Sequence, residues 1–155
     1  MDGDTVSVER VIAAPAAQIF DLLADASKHQ VIDGSGAVKA PKGGAPERLA
    51  LGSTFGMSMK MGIGYSMVNE VIEYEDGKRI AWQARPPGFM GKISGGRIWR
   101  YELEPVDGGT RVRETWDVSQ DHNRALLKIG PTPKATIRNM EKTLDRIEDV
   151  VRPSP

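Results

Sequence analysis

Apolar and polar residues alternate along most of this chain with a period of two, and a few stretches shift to the three- and four-residue spacing of a helix. TVSVERVIAA opens the series. Val, Ile and Thr dominate it without a breaker, which predicts a strand over residues 5–13. Pro15 suits the first turn of a helix, where its missing N–H costs nothing. Ala16, Ile19, Phe20 and Leu23 then share one stripe, so residues 15–25 read as a short amphipathic helix. ASKHQVIDGSG adds a second short helix ending in a turn at Asp33-Gly34-Ser35-Gly36. Pro41, Gly43, Gly44, Pro46 and Gly52 limit residues 37–54 to a short edge strand and a loop. Period two governs residues 55–118, with turn signals at Gly62, EDGK (75–78) and VDGG (106–109). Behind Thr132 as N-cap and Pro133 in the first turn, Ile137, Met140, Leu144, Ile147 and Val151 mark a helix over 133–151, closed by RPSP. Strand, two short helices, a run of antiparallel strands and one long helix make an α+β chain.

Hairpin register separates inside from outside. Asp107-Gly108 is a favoured two-residue type I′ loop, and it pairs Glu104 with Arg111 and Glu102 with Arg113. The alternate positions pair Leu103 with Val112, Tyr101 with Glu114, and Trp99 with Trp116. A one-residue slip would scramble both sets. Around EDGK, a three-residue loop 76–78 pairs Glu75 with Arg79, Tyr74 with Ile80 and Ile72 with Trp82, which makes Val68, Ile72 and Tyr74 inner and puts Glu70 inside opposite Ala84. In FGMSMKMGIGYSM (55–67) a two-residue Gly62-Ile63 turn pairs Met57 with Val68, Met59 with Ser66 and Met61 with Gly64. Met57, Met59 and Met61 then face in, and Tyr65 and Met67 face out. An odd-length loop with a later bulge would return the whole stripe to one face.

Composition narrows the chemistry. The 155 residues fit a single domain over 1–155 and contain no cysteine, which excludes disulfides, thiolate zinc sites and thiol nucleophiles. No apolar run approaches the roughly 20 residues of a membrane span and no leader pattern opens the chain, so a cytoplasmic location is expected. Lys and Arg balance Asp and Glu at 21 each, and bases interleave with acids, which disfavours nucleic acid as a partner.

Glu114 is the chemical anomaly, a carboxylate on the inner face between Val112 and Trp116 and opposite Tyr101. It reads as a structural group bound to Tyr101 or to an arginine such as Arg97, or as a polar anchor or proton-transfer group with a raised pKa. His29, Asp33 and Ser35 lack the context of a nucleophile elbow. His29 and Asp33 supply two metal ligands at most, with His122 and Asp121 in another segment, so no metal is expected. The methionines of the 55–67 stripe are soft enough for Cu(I), but Phe55, Ile63 and Tyr65 fit an apolar wall better. RPPGFMGKISGGR (85–97) lacks a P-loop ending; its Phe89, Met90 and Ile93 read as packing on the sheet edge or as a gate.

VERVIAAPAAQIFDLLAD, NEVIEYEDGKRIAWQA, WRYELEPVDGGTRVRETWDV and the long terminal helix, in this order and spacing, resemble the START-like (SRPBCC) superfamily of polyketide cyclases/dehydrases and lipid transport proteins, which includes birch-pollen-allergen-type folds. The resemblance spans nearly the whole chain. It implies a helix-grip fold, a curved antiparallel sheet around the C-terminal helix with two short helices closing one end. It also implies an apolar cavity, and no shared catalytic residues to carry over.

On that footing the leading expectation is binding or transport of a small hydrophobic molecule, without a cofactor. The cavity would be lined by Met57, Met59, Met61, Trp82, Trp99, Tyr101, Trp116, Ile137, Met140 and Leu144, with Glu114 and His29 as polar anchors. A cyclase or dehydratase using Glu114 and Tyr101 is the alternative. A protein-interaction module resembling chaperone activators comes third, and a homodimer is a further expectation.

Overall fold

A computed structural model describes residues 1, 3–34, 38–42, 48–61 and 63–152; for 38–42, 57–61 and 63–65 it describes the backbone only. Seven antiparallel strands form one curved sheet in the order β1-β7-β6-β5-β4-β3-β2: β1 (Thr5–Ile12), β2 (Val38–Lys42), β3 (Thr54–Met61), β4 (Ile63–Glu75), β5 (Arg79–Arg85), β6 (Ile98–Val106) and β7 (Gly109–Asp117). Helix α1 (Ala16–Leu23) follows β1, and a 3-10 turn at Ala26–Lys28 leads into α2 (His29–Ile32). Helices α3 (Arg124–Leu127) and α4 (Thr132–Val151) complete the chain, and α4 packs along the inner face of the sheet. At 1.5 Å per residue α4 is about 30 Å long. Thr132 is the first residue of α4, not its cap: Pro131 holds the cap position and no side chain caps the end.

The 106–109 hairpin has the predicted register at every pair, from Trp99–Trp116 through Tyr101–Glu114 to Glu104–Arg111. Gly108 takes a φ of 88°, which only glycine adopts without strain. The ions reach one strand further than expected, since Glu102 meets Arg79 on β5 at 2.9 Å and Arg113 meets Glu9 on β1 at 3.2 Å. Charged residues thus tie β1, β7, β6 and β5 together across the outer face.

The 76–78 loop also holds, with Glu75 opposite Arg79 and Tyr74 opposite Ile80. Beyond it the sequence-based pairing needs correcting. A register shift between Val71 and Glu73 skips Ile72, so Val71, not Ile72, lies opposite Trp82, and Asn69, not Glu70, lies opposite Ala84. Val71 and Asn69 are buried, while Glu70 and Val68 are exposed. A bulge consumes one residue and inverts the facing of everything before it.

The same bulge corrects the methionine hairpin. Met61 pairs with Ile63, Met59 with Tyr65 and Met57 with Met67, one step away from the Gly62-Ile63 turn register. The odd-length alternative with a later bulge is the one observed. Positions 57, 59, 61, 63, 65 and 67 therefore share the parity of buried Phe55.

Two contacts fix the helices to the sheet. Gly34 lies flat against α4, its N–H donating to Thr143 Oγ1 at 2.9 Å, and a Cβ there would sit 2.1 Å from the Asn139 carbonyl oxygen. Arg10, on β1, reaches Asp145, with Glu141 and Glu148 one helical turn to either side.

Candidate functional site

The inner faces of β5, β6 and β7 carry two rungs of side chains set by register alone. One rung is Trp82, Trp99 and Trp116; the next is Ile80, Tyr101 and Glu114. Trp82 and Tyr101 have ring centroids 5.5 Å apart, and Trp99 and Trp116 are 6.4 Å apart. Met140 and Leu144 of α4 are fully buried in the same core, and Ile137 and Trp99 pack against it half-buried. Trp82, Tyr101, Trp116, Met140 and Leu144 are thus brought together in one core, with Glu114 buried beside Tyr101. The side chains of Met57, Met59 and Met61 lie outside the described residues.

His29 is buried. Its ring stacks on Trp82 at 4.6 Å and 20°, and meets Phe55 edge-on at 5.2 Å. Burial holds its pKa below the ordinary value, against a smaller upward pull from the Leu23 carbonyl. The ring is therefore neutral at pH 7, with Nε2–H donating to the Leu23 oxygen at 2.9 Å. That bond engages one ring nitrogen, and Ser35 lies outside the described residues.

Glu114 is 2% exposed, and its Oε1 has no hydrogen-bond partner among the described residues. Arg97 is not its counter-ion, because Arg97 binds the buried Asp121 at 3.2 Å. The Tyr101 hydroxyl is hydrogen-bonded to the carboxyl. Burial pushes Glu114 up to about 8; the bond from Tyr101 opposes this, and the nearby charge of Asp33 adds to it. Burial first, and then the Glu114 charge, hold Tyr101 well above the ordinary phenol value. At neutral pH the pair is chiefly a protonated acid beside a protonated phenol, able to donate or accept.

No three of His, Cys, Asp and Glu among the described residues are grouped to hold a metal ion. On the outer face of the sheet lies a groove of about 340 Å³, between Glu9, Glu75, Arg79, Glu102 and Arg113. Its walls are mostly charged groups already paired with one another, which suits no apolar molecule. The sequence did not reveal the burial of Asn69, the Arg97–Asp121 pair or the His29–Trp82 stack. Asn69 was hidden by the bulge, and a helix of four residues is too short to show its buried side by periodicity.

A seven-stranded antiparallel sheet gripping a long C-terminal helix, with an acid in an aromatic interior, defines a helix-grip protein. The chain belongs to the polyketide cyclase/dehydrase and lipid transport family, whose model matches residues 4–152. It is 31% identical over 147 residues to the uncharacterized protein Rv0088 of Mycobacterium tuberculosis, covering 89% of this chain and 60% of that protein. The chain thus spans about 60% of the length of the curated relatives it matches. Among solved structures it is similar to protein CV1439 from Chromobacterium violaceum, with a TM-score of 0.70 at 18% identity over 97% of this chain and 99% of that one. It is also similar to the major latex-like protein 151 of Panax ginseng, with a TM-score of 0.69 at 10% identity over 96% and 97%. These structural likenesses establish the fold. No helix among the described residues is long and apolar enough to cross a membrane.

Proposed function

We propose that residues 1–155 act as one START-like domain that binds a small hydrophobic molecule, a lipid, polyketide or similar, between the sheet and α4. The observation that carries this reading is Oε1 of Glu114, buried with no partner among the described residues in a wall of rings and aliphatic side chains. An unsatisfied buried polar atom costs about 1–3 kcal/mol, and a ligand hydroxyl or carbonyl would remove that cost. Pockets for such molecules combine broad apolar walls with a few polar groups that fix orientation. Trp82, Trp116, Met140 and Leu144 supply the wall, Glu114 and Tyr101 the polar pair. Met57, Met59 and Met61 stay in the proposal on their register positions and on the adaptability of methionine. The test is native mass spectrometry of protein purified from its own cell, which should reveal a co-purified apolar molecule. Delipidated protein that has no enclosed cavity and takes up no apolar fluorescent probe would overturn the reading.

A second reading, turnover by a cyclase or dehydratase, is favoured by one observation: a carboxyl poised near neutrality beside a phenol. Glu114 in its ionised fraction would take a proton from carbon, and Tyr101 would steady the oxygen on which charge develops. Turnover unchanged in Glu114→Gln would remove this role.

A further inference from the structure

The interleaving of acids and bases lapses in several stretches, and two of them stand together at one end of the sheet. Residues 85–97 carry Arg85, Lys92 and Arg97, and residues 122–138 carry Arg124, Lys128, Lys134 and Arg138, with no Asp or Glu in either. In a chain of 21 bases and 21 acids, this leaves the remainder clearly acidic. The two segments leave the same end of the sheet and are joined at their bases. The His122 N–H donates to the Gly95 carbonyl at 3.0 Å, and Arg97 binds Asp121.

The same two segments expose apolar side chains. Phe89 is 70% exposed, with Met90 beside it on the 3-10 turn Gly88–Lys92 and Ile93 just past its end, and Leu126 is 68% exposed, with Ile129 beyond it. Phe89, Met90 and Ile93 are thus more than half exposed, which does not fit the sheet-edge packing that was one of their two sequence readings. Lys92, Lys134 and Arg138 are exposed and form no ion pair among the described residues, whereas Arg124 and Lys128 share Asp4. Helix α4 also runs its charges against its own dipole. Lys134 lies in the first turn, at the positive N-terminal end, and Glu148 and Asp149 lie in the last turn, at the negative end. Helix stability would favour the reverse.

We propose that this end of the molecule docks on the surface of an anionic lipid bilayer, with Phe89, Met90, Ile93, Leu126 and Ile129 entering the headgroup boundary and the unpaired bases meeting the lipid phosphates. A shallow apolar tip surrounded by bases matches such an interface in both shape and charge. Four of the five apolar side chains are aliphatic, which suits acyl chains and gives nucleic-acid bases little to stack on. The docking does not depend on what the interior holds.

The test is co-sedimentation with vesicles of phosphatidylcholine alone and with 30 mol% phosphatidylglycerol, at low and physiological salt. Binding to the anionic vesicles at least tenfold tighter than to the neutral ones is expected, weakening as salt rises. The exposed-site variants Phe89→Ser/Ile93→Ser and Lys92→Glu/Lys134→Glu should each lower it tenfold or more with unchanged circular dichroism. A Phe89→Trp protein should gain blue-shifted emission on the anionic vesicles. Glu114→Gln should bind vesicles like the parent, so this proposal and the interior-ligand reading fail separately. Equal binding to both vesicles, binding unaffected by the serine pair, or tighter capture by an oligonucleotide or poly-glutamate than by vesicles would each overturn it.

Discussion

Glu114→Gln gives a stability test that needs no ligand. In the unfolded chain the carboxyl ionises near 4.5, and in the folded protein near 8. Below 4.5 both states carry the proton and the burial is neutral. As pH rises through the window from 4.5 to 8, the unfolded state sheds its proton first and is favoured by about 1.4 kcal/mol per pH unit. The stability held at low pH is therefore lost progressively, and the loss saturates once the folded carboxyl also ionises. Between pH 5 and pH 8 the integrated loss is about 3–4 kcal/mol, a large share of the roughly 5–15 kcal/mol of a typical domain. Glutamine has the same shape and does not titrate. Any constant cost of its amide shifts its profile without tilting it. Urea unfolding of both proteins at unit pH intervals should thus show the variant gaining about 3–4 kcal/mol on the parent from pH 5 to pH 8. His29 and every other group cancel in this difference. Parallel profiles would mean that Glu114 ionises in the folded protein as it does in water, and would refute its burial without a counter-ion.

Other substitutions probe the supports of the site. His29→Gln should remove a loss of stability on the acid side: the folded ring resists protonation, so the parent loses stability as pH falls through 6.5, and the variant's urea midpoint should fall less between pH 7 and pH 5. Gly34→Ala places a Cβ 2.1 Å from the Asn139 carbonyl and 2.5 Å from the Thr143 nitrogen, so α2 must lift from α4; a loss of about 1–3 kcal/mol and a lower Tm are expected in a thermal melt.

What the sequence revealed and what it hid have one physical source. Asp107-Gly108 admits few turn geometries, and its flanks sort two Glu–Arg pairs from an apolar ladder, so register, facing and the burial of Glu114 are all legible in the sequence. The bulge at Ile72 left no such mark. Val68 and Ile72 look like inner residues by type, and Asn69 looks like an outer one, yet the backbone skips one residue and the sides exchange. The symmetry of the methionine stripe about residue 62 held the missing signal, because only the odd register pairs Met57 with Met67 and Met59 with Tyr65. The burial of His29 left no sequence signal because four helical residues have no period, and its stack on Trp82 arises wholly from tertiary packing.

The features that made the fold legible also hold Glu114 in place. Moving it to the outer face would need a one-residue slip of β7. That slip would bury Arg111 and Arg113 and break their ion pairs with Glu104 and Glu9. Burying two unpaired guanidinium groups costs more than one carboxyl that remains protonated at neutral pH. The sheet therefore cannot relieve the strain on Glu114 by shifting register, and relief has to come from a change of residue or from a molecule that meets Oε1. A ligand whose hydroxyl donates to Oε1 favours the ionised carboxyl, so it should also flatten the pH profile of the parent, bringing its slope toward that of Glu114→Gln without any substitution.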